Sequence, residues 1–158
     1  MITVESTGRP TGPALTYRRL DGDPRFDYLT LDPSEARQAG DDAVVRRFRR
    51  CRVVGSPAPS PAGLLHVLLP VPPGAEDEWN TWYDTVHLPG VVAIADGVRA
   101  GHRFRPADPD QPYLVIYEFA TLEALEAWQR GTTVRAKKDE YFQQWGVRNN
   151  RRAFALVS

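Results

Sequence analysis

Glu76-Asp77-Glu78-Trp79-Asn80-Thr81-Trp82-Tyr83-Asp84-Thr85-Val86-His87-Leu88-Pro89-Gly90 is the stretch on which the reading of this chain turns. At about 100° per residue, Trp79, Trp82, Tyr83 and Val86 form one apolar stripe of a helix. Asn80, Asp84 and His87 fall together along one flank of that stripe. Glu76, Asp77 and Glu78 occupy the first turn, where the helix dipole favours carboxylates. Pro89-Gly90 is expected to stop the helix, giving a span of Ala75–His87. A helix built only to cover a sheet would use Leu, Val and Ala. This one brings titratable and hydrogen-bonding groups to the edge of its buried face, where a small-molecule pocket could use them.

Working outward, Leu64–Val71 before the helix reads as a strand, and Val98–Arg105 and Tyr113–Phe119 after it read as two more. Leu122–Trp145 holds a long helix broken near Gly131, and Ala153–Val157 is a closing strand. The order β-α-β-β-α-β is the ferredoxin-like plan, so residues 63–158 are expected to form an α+β module of that type. Ahead of it, Gly55-Ser56-Pro57-Ala58-Pro59-Ser60-Pro61 marks a Pro-rich linker over residues 56–62. Residues 1–13, rich in Gly, Pro and Thr, read as a flexible arm. Between arm and linker, residues 14–55 carry strand patterns at Leu15–Leu20, Phe26–Leu31 and Phe48–Val54, with a short helix over Ser34–Gln38.

A faint repeat joins the two parts. At an offset of 85 residues, Arg18 meets Arg103, Asp23-Pro24 meets Asp108-Pro109, and Tyr28-Leu29 meets Tyr113-Leu114. At an offset of 102, Arg49-Arg50 meets Arg151-Arg152. Residues 14–55 are therefore expected to be a degenerate half-repeat that lacks the first strand and first helix of the module.

The bulk numbers bound the function. The chain has 158 residues, with 20 Lys+Arg against 20 Asp+Glu and no net charge. No overall field favours nucleic acid or a membrane surface. The arginines at 46, 47, 49, 50 and 52, and again at 148, 151 and 152, read as solvated strand faces. The single cysteine, Cys51, rules out an internal disulfide and a Cys-based zinc site, and reads as a small buried hydrophobe. No GxGxxG, P-loop or GxSxG occurs, which argues against dinucleotide, nucleoside triphosphate and α/β-hydrolase chemistry. A cytoplasmic protein without membrane partners is expected.

Residues 63–158, about three-fifths of the chain, resemble the dimeric α/β-barrel superfamily. Within it they look most like the EthD-like families, whose first helix carries a W/Y-Y-x-x-H-x-P signature. Here that signature is Trp82-Tyr83-Asp84-Thr85-Val86-His87-Leu88-Pro89, and Tyr113–Phe119 resembles the third strand. The resemblance implies two such modules packed sheet to sheet, with pockets between sheet and helices, and hence a homodimer through the sheet. Members include cyclases, decarboxylases, dehydratases, isomerases and cofactor-independent monooxygenases of aromatic or polyketide compounds, with haem-degrading relatives. The N-terminal segment departs from the single-module pattern. It could fill a partner's place, cap an edge strand or extend a dimer interface.

Candidate site residues follow. His87 could be a general acid or base, or could simply bond the last helical carbonyls. Asp84, three residues earlier, could orient it. Tyr83 could donate to a carbonyl or enolate, or be a core ring. Asn80 lies on the same flank. His66, mid-strand among leucines, must be satisfied or at a site, and shares a face with Leu64 and Leu68. His102 and Arg103 face opposite ways, with Arg103 the better anion binder. Tyr117 and Glu118 pose the same choice. The leading expectation is a cofactor-independent enzyme in which His87, Asp84 and Tyr83 drive proton transfer in cyclisation, isomerisation, dehydration or decarboxylation. His66, Arg103, Trp82, Tyr117 and Asn80 would bind an aromatic or polyketide-like substrate, with no metal and no cofactor. The alternatives are a cofactor-free or haem-linked monooxygenase, and a non-catalytic binding or assembly module.

Overall fold

The computed structural model describes residues 2–6, 14–20, 28–32 and 43–157. Its strands are β1 (Ile2–Ser6), β2 (Leu15–Arg19), β3 (Tyr28–Asp32), β4 (Val44–Gly55), β5 (Gly63–Leu69), β6 (Val98–Pro106), β7 (Tyr113–Phe119) and β8 (Asn150–Leu156). They close into one antiparallel barrel in the order β1-β3-β2-β8-β5-β7-β6-β4, with β4 returning to β1. Within it, β8-β5-β7-β6 has the strand order of a ferredoxin-like module. The remaining half, β4-β1-β3-β2, repeats that order from the first four strands. Ile2–Ser6 is thus a barrel strand rather than part of an arm, and it stands where a first strand belongs. Residues 7–13 and the short helix expected at Ser34–Gln38 lie outside the described residues.

The barrel has two apolar layers. Tyr17, Leu29, Phe48, Leu64, Leu68, Phe104, Leu114, Ile116 and Phe154 fill its interior. Leu65, Val67, Leu69, Val115 and Tyr117 point outward from β5 and β7 and meet the helices. Both faces of these two strands are covered, which is why every residue in them is buried and their sequences run apolar without alternation. The sheet face that a homodimer would use is covered by the chain's own β1–β4, and the two flanking edges are sealed by β2 against β8 and β4 against β6.

The opening helix does not stop at Pro89-Gly90. It runs as α1 (Glu76–Trp82), a wide π turn (Tyr83–His87) and α2 (Leu88–Ile94). In the π turn the Leu88 N–H bonds the Tyr83 carbonyl five residues back. In an unbroken α-helix the proline ring would press on the carbonyl four residues before it. The wide turn makes room, and Pro89 then sits in the first turn of α2, where a missing N–H costs nothing. The extra residue rotates everything that follows. Val86, expected on the buried stripe, is 53% exposed, and His87, expected on the flank, is 3% exposed.

The second helical stretch breaks at Gly131 into α3 (Leu122–Arg130) and α4 (Thr132–Trp145). Thr121 caps α3 by accepting the Ala124 N–H. Cys51 is exposed at a bulge in β4 between Arg50 and Arg52, not buried as expected. Arg47, Arg49, Arg50 and Arg52 are solvated as read, whereas Arg152 is buried and Arg151 half-buried. No helix of the described residues is long and apolar enough to cross a membrane.

Candidate functional site

The residues that the sequence groups into one site are divided by the structure among three places. The first is a polar pin between helix and sheet. Arg103, only 5% exposed on β6, forks onto Asp84, with Nε to Oδ1 and Nη2 to Oδ2 both at 2.6 Å. Its Nη1 donates to Asn80 Oδ1 at 2.6 Å, and Asn80 Nδ2 donates to the Tyr113 hydroxyl. The guanidinium also lies over the Trp79 and Tyr113 rings. Each nitrogen of this guanidinium thus donates one hydrogen bond that docks the helix on the sheet. Asp84 holds Arg103 and makes no hydrogen bond to His87, so the expected Asp84–His87 pair does not form. Arg103 and Asn80 serve here as anchors of the helix.

The second place is an aromatic cage outside the barrel. His87 lies against Trp82, Tyr83 and Tyr141, and Trp82 in turn touches Trp145. Tyr83 and Tyr117 bring their hydroxyls to 3.2 Å. Burial, reinforced by the charges of Lys137 and Arg151, holds the His87 pKa at about 3, so the ring is neutral at neutral pH. Burial likewise pushes Tyr117 up to about 12 and Tyr83 well above its ordinary value. The space that His87, Tyr83 and Tyr117 share is about 10 Å³. That is on the order of one water molecule. A histidine this hard to protonate, beside so little room, is unsuited to general acid–base work on a substrate.

The third place is the barrel interior at the end crossed by the 56–62 linker. A cavity of about 340 Å³ opens there, walled by Leu15, Leu31, Leu64, Phe104 and Ile116. Four polar side chains reach it: Tyr17, His102, Glu118 and, at its rim, Arg50. His102 Nε2 and Glu118 Oε1 are 2.7 Å apart and both residues are buried. The other carboxylate oxygen accepts the Ala58 N–H from the linker at 2.8 Å. With a carboxylate at Nε2, the neutral imidazole carries its proton there, leaving Nδ1 as the acceptor. Tyr17 has no exposed surface, and its hydroxyl finds no hydrogen-bond partner among the described residues. Burial and the Glu118 charge raise the Tyr17 pKa, so it stays protonated as a donor. A buried hydroxyl without a partner on a cavity wall is where a ligand oxygen would be held.

His66 faces the barrel interior with Leu64 and Leu68, as strand parity predicts, and packs edge-on against Phe154, outside the lining of this cavity. The strand pattern Leu15–Leu20 does not single out Tyr17, and side-chain chemistry alone favours Arg103 over His102 as an anion binder. His102 and Arg103 do lie on opposite faces of β6, and it is the inner face, that of His102, that lines the cavity. Once β5 parity assigns Leu64 and Leu68 to the interior, the registers Leu64↔Glu118 and His102↔Ile116 place both polar residues there too. Among the described residues no three metal-ligating side chains converge.

No known family's sequence profile matches the chain, and no sequence among the curated proteins matches it. Solved structures do. An uncharacterised ferredoxin-fold protein related to antibiotic biosynthesis monooxygenases, from Listeria monocytogenes, superposes with a TM-score of 0.62 at 10% identity, covering 100% of this chain and 95% of that one. The heme-degrading enzyme LmHde of the same organism gives 0.59 at 8% identity, covering 99% and 97%. An anthrone oxidase-like protein gives 0.63 at 10% identity, covering 99% and 90%. The likeness spans nearly the whole of each chain and shows a shared ferredoxin-like α+β fold.

Proposed function

We propose that this chain is a cofactor-independent oxygenase of a small polycyclic phenol or related carbon acid, working inside the barrel. The observation that carries the reading is the buried His102–Glu118 dyad on the wall of a 340 Å³ apolar cavity that also holds the unpartnered Tyr17 hydroxyl. The volume lies near the lower end of the roughly 300–1,000 Å³ of small-molecule sites. In this reading Nδ1 of His102 takes a proton from the acidic C–H of the substrate, and Glu118 stabilises the imidazolium that results. Tyr17 donates to the enolate oxygen as charge develops on it. The electron-rich enolate then reduces dioxygen, so that a CH₂ becomes C=O and the second oxygen atom leaves as water. The likeness in fold to monooxygenase-related and anthrone oxidase-like proteins supports this reaction over the cyclisation or dehydration expected from the helix motif.

A haem, which the heme-degrading enzyme LmHde of this fold acts on, does not suit these residues. Its iron would need an axial ligand such as histidine. His87 faces about 10 Å³, and the interior cavity beside His102, about 340 Å³, is too small to enclose a tetrapyrrole. The EthD-like motif enters this proposal as a determinant of helix docking, with His87 in the core. A single chain suffices, because the barrel that two modules would build together is closed by β1–β4.

The test is oxygen uptake with anthrone as probe substrate. Wild-type protein should consume dioxygen and form the quinone. Glu118→Gln and His102→Gln should each lower kcat by roughly 10²–10⁴-fold, the usual worth of a positioned base. Uptake that is undiminished in both variants, or that tracks His87 instead, would overturn the assignment.

A further inference from the structure

The small cavity between sheet and helices takes no part in that chemistry, yet its lining has an unbalanced charge. Its polar residues are Tyr83, His87, Tyr117, Lys137, Asn149 and Arg151. Lys137 is paired with Glu140 at 2.6 Å. Arg151, half-buried on the outer face of β8, donates through Nε to Asn149 Oδ1, and no carboxylate among the described residues pairs with it. A cation removed from water without an opposite charge is costly.

The neighbouring groups do not supply that charge. Tyr83 and Tyr117 share one hydrogen bond between their hydroxyls, which leaves one O–H proton uncommitted. His87 is neutral, and its Nδ1 has no partner. Donors therefore converge on a space the size of a single small sphere, and among the described residues no carboxylate lines it. We propose that this cavity binds one monovalent anion of the halide class, held by the Arg151 guanidinium and the uncommitted tyrosine proton. The anion would close the charge balance under the helices and lock α4 to the sheet through Lys137 and Arg151. The site lies on the opposite face of the sheet from the His102–Glu118 cavity, so the two proposals stand or fall separately.

Bromide is the probe. Thermal unfolding should show a saturable rise in Tm as bromide replaces gluconate at constant ionic strength, since a ligand bound only by the folded state stabilises it. Crystals soaked in bromide should show an anomalous peak in contact with Arg151. Arg151→Gln should lose the saturable part of the rise while keeping its circular dichroism spectrum. Equal responses to bromide and gluconate, or a water with no anomalous signal beside Arg151 in the wild-type crystal, would overturn the proposal. The crystal experiment needs no variant, so it decides the matter even where Arg151→Gln does not fold.

Discussion

Replacing His87 by leucine should make the protein less sensitive to mild acid. The wild-type ring sits among Trp82, Tyr83 and Tyr141, with its pKa held at about 3 in the folded chain. In the unfolded chain it returns to about 6.5. The folded value is the lower one, so the unfolded state takes up a proton first as pH falls. Stability is therefore full above pH 6.5 and is withdrawn between 6.5 and 3, at about 1.4 kcal/mol per unit. Between pH 7 and pH 5 the loss amounts to about 2 kcal/mol. Leucine has similar bulk, keeps the cage filled and has no proton to gain. Urea unfolding of both proteins at the two pH values gives the comparison, with the carboxylates common to both cancelling. The wild type should lose about 2 kcal/mol more than His87→Leu on acidification. Parallel losses would show that His87 is solvated or charge-paired, and the account of the cage would be wrong.

The helix pin predicts a stability effect where the sequence suggested a catalytic one. Breaking a buried pair costs roughly 3–5 kcal/mol. With the Asp84 side chain 26% exposed, screening brings the expectation for Asp84→Ala to about 2 kcal/mol. At ~2–4 °C per kcal/mol for a chain of this size, Tm should fall by roughly 4–8 °C. The double variant with Arg103→Met should recover part of that, and strict additivity in the cycle would contradict the pairing. Gly97 and Gly74 both have positive φ, 78° and 79°, but a Cβ at Gly97 would lie 2.4 Å from that of Ala124 while Gly74 faces open space. Gly74→Ala should lose only the backbone part, of order 1 kcal/mol. Gly97→Ala should lose clearly more, and equal midpoints in denaturant would show that α3 yields freely there.

Much of the module was legible because its strands and helices carry strong local patterns. Tyr113–Phe119 and the break at Gly131 appear where the pattern puts them, since an apolar run and a glycine in a helix act locally. The helix runs through Pro89, against the sequence expectation, because a π turn leaves no mark at α-helical period. One inserted residue was enough to exchange Val86 for His87 on the buried face. Ile2–Ser6 was missed because a five-residue strand flanked by Gly, Pro and Thr looks like a tail, and only its pairing with β3 and β4 makes it a strand. The site was harder still. His102 and Glu118 meet across the paired strands β6 and β7, but Tyr17, far away in sequence, joins them only once the barrel closes. The conspicuous helix motif drew attention to residues that turn out to be anchors.

Closure has a consequence for how the chain must fold. The seam between β2 and β8 pairs Tyr17 with Leu156, residues from nearly opposite ends of the sequence. During synthesis β2 is made early and waits for its partner until the module behind it is complete. Contacts so distant in sequence slow folding, and the waiting strand edges of β2 and β8 are open to pairing with other chains. The ring that frees the native molecule from edge-to-edge association thus makes the interval before closure the time of greatest hazard. A refolding experiment should find aggregation set by protein concentration in that interval, and little of it afterwards.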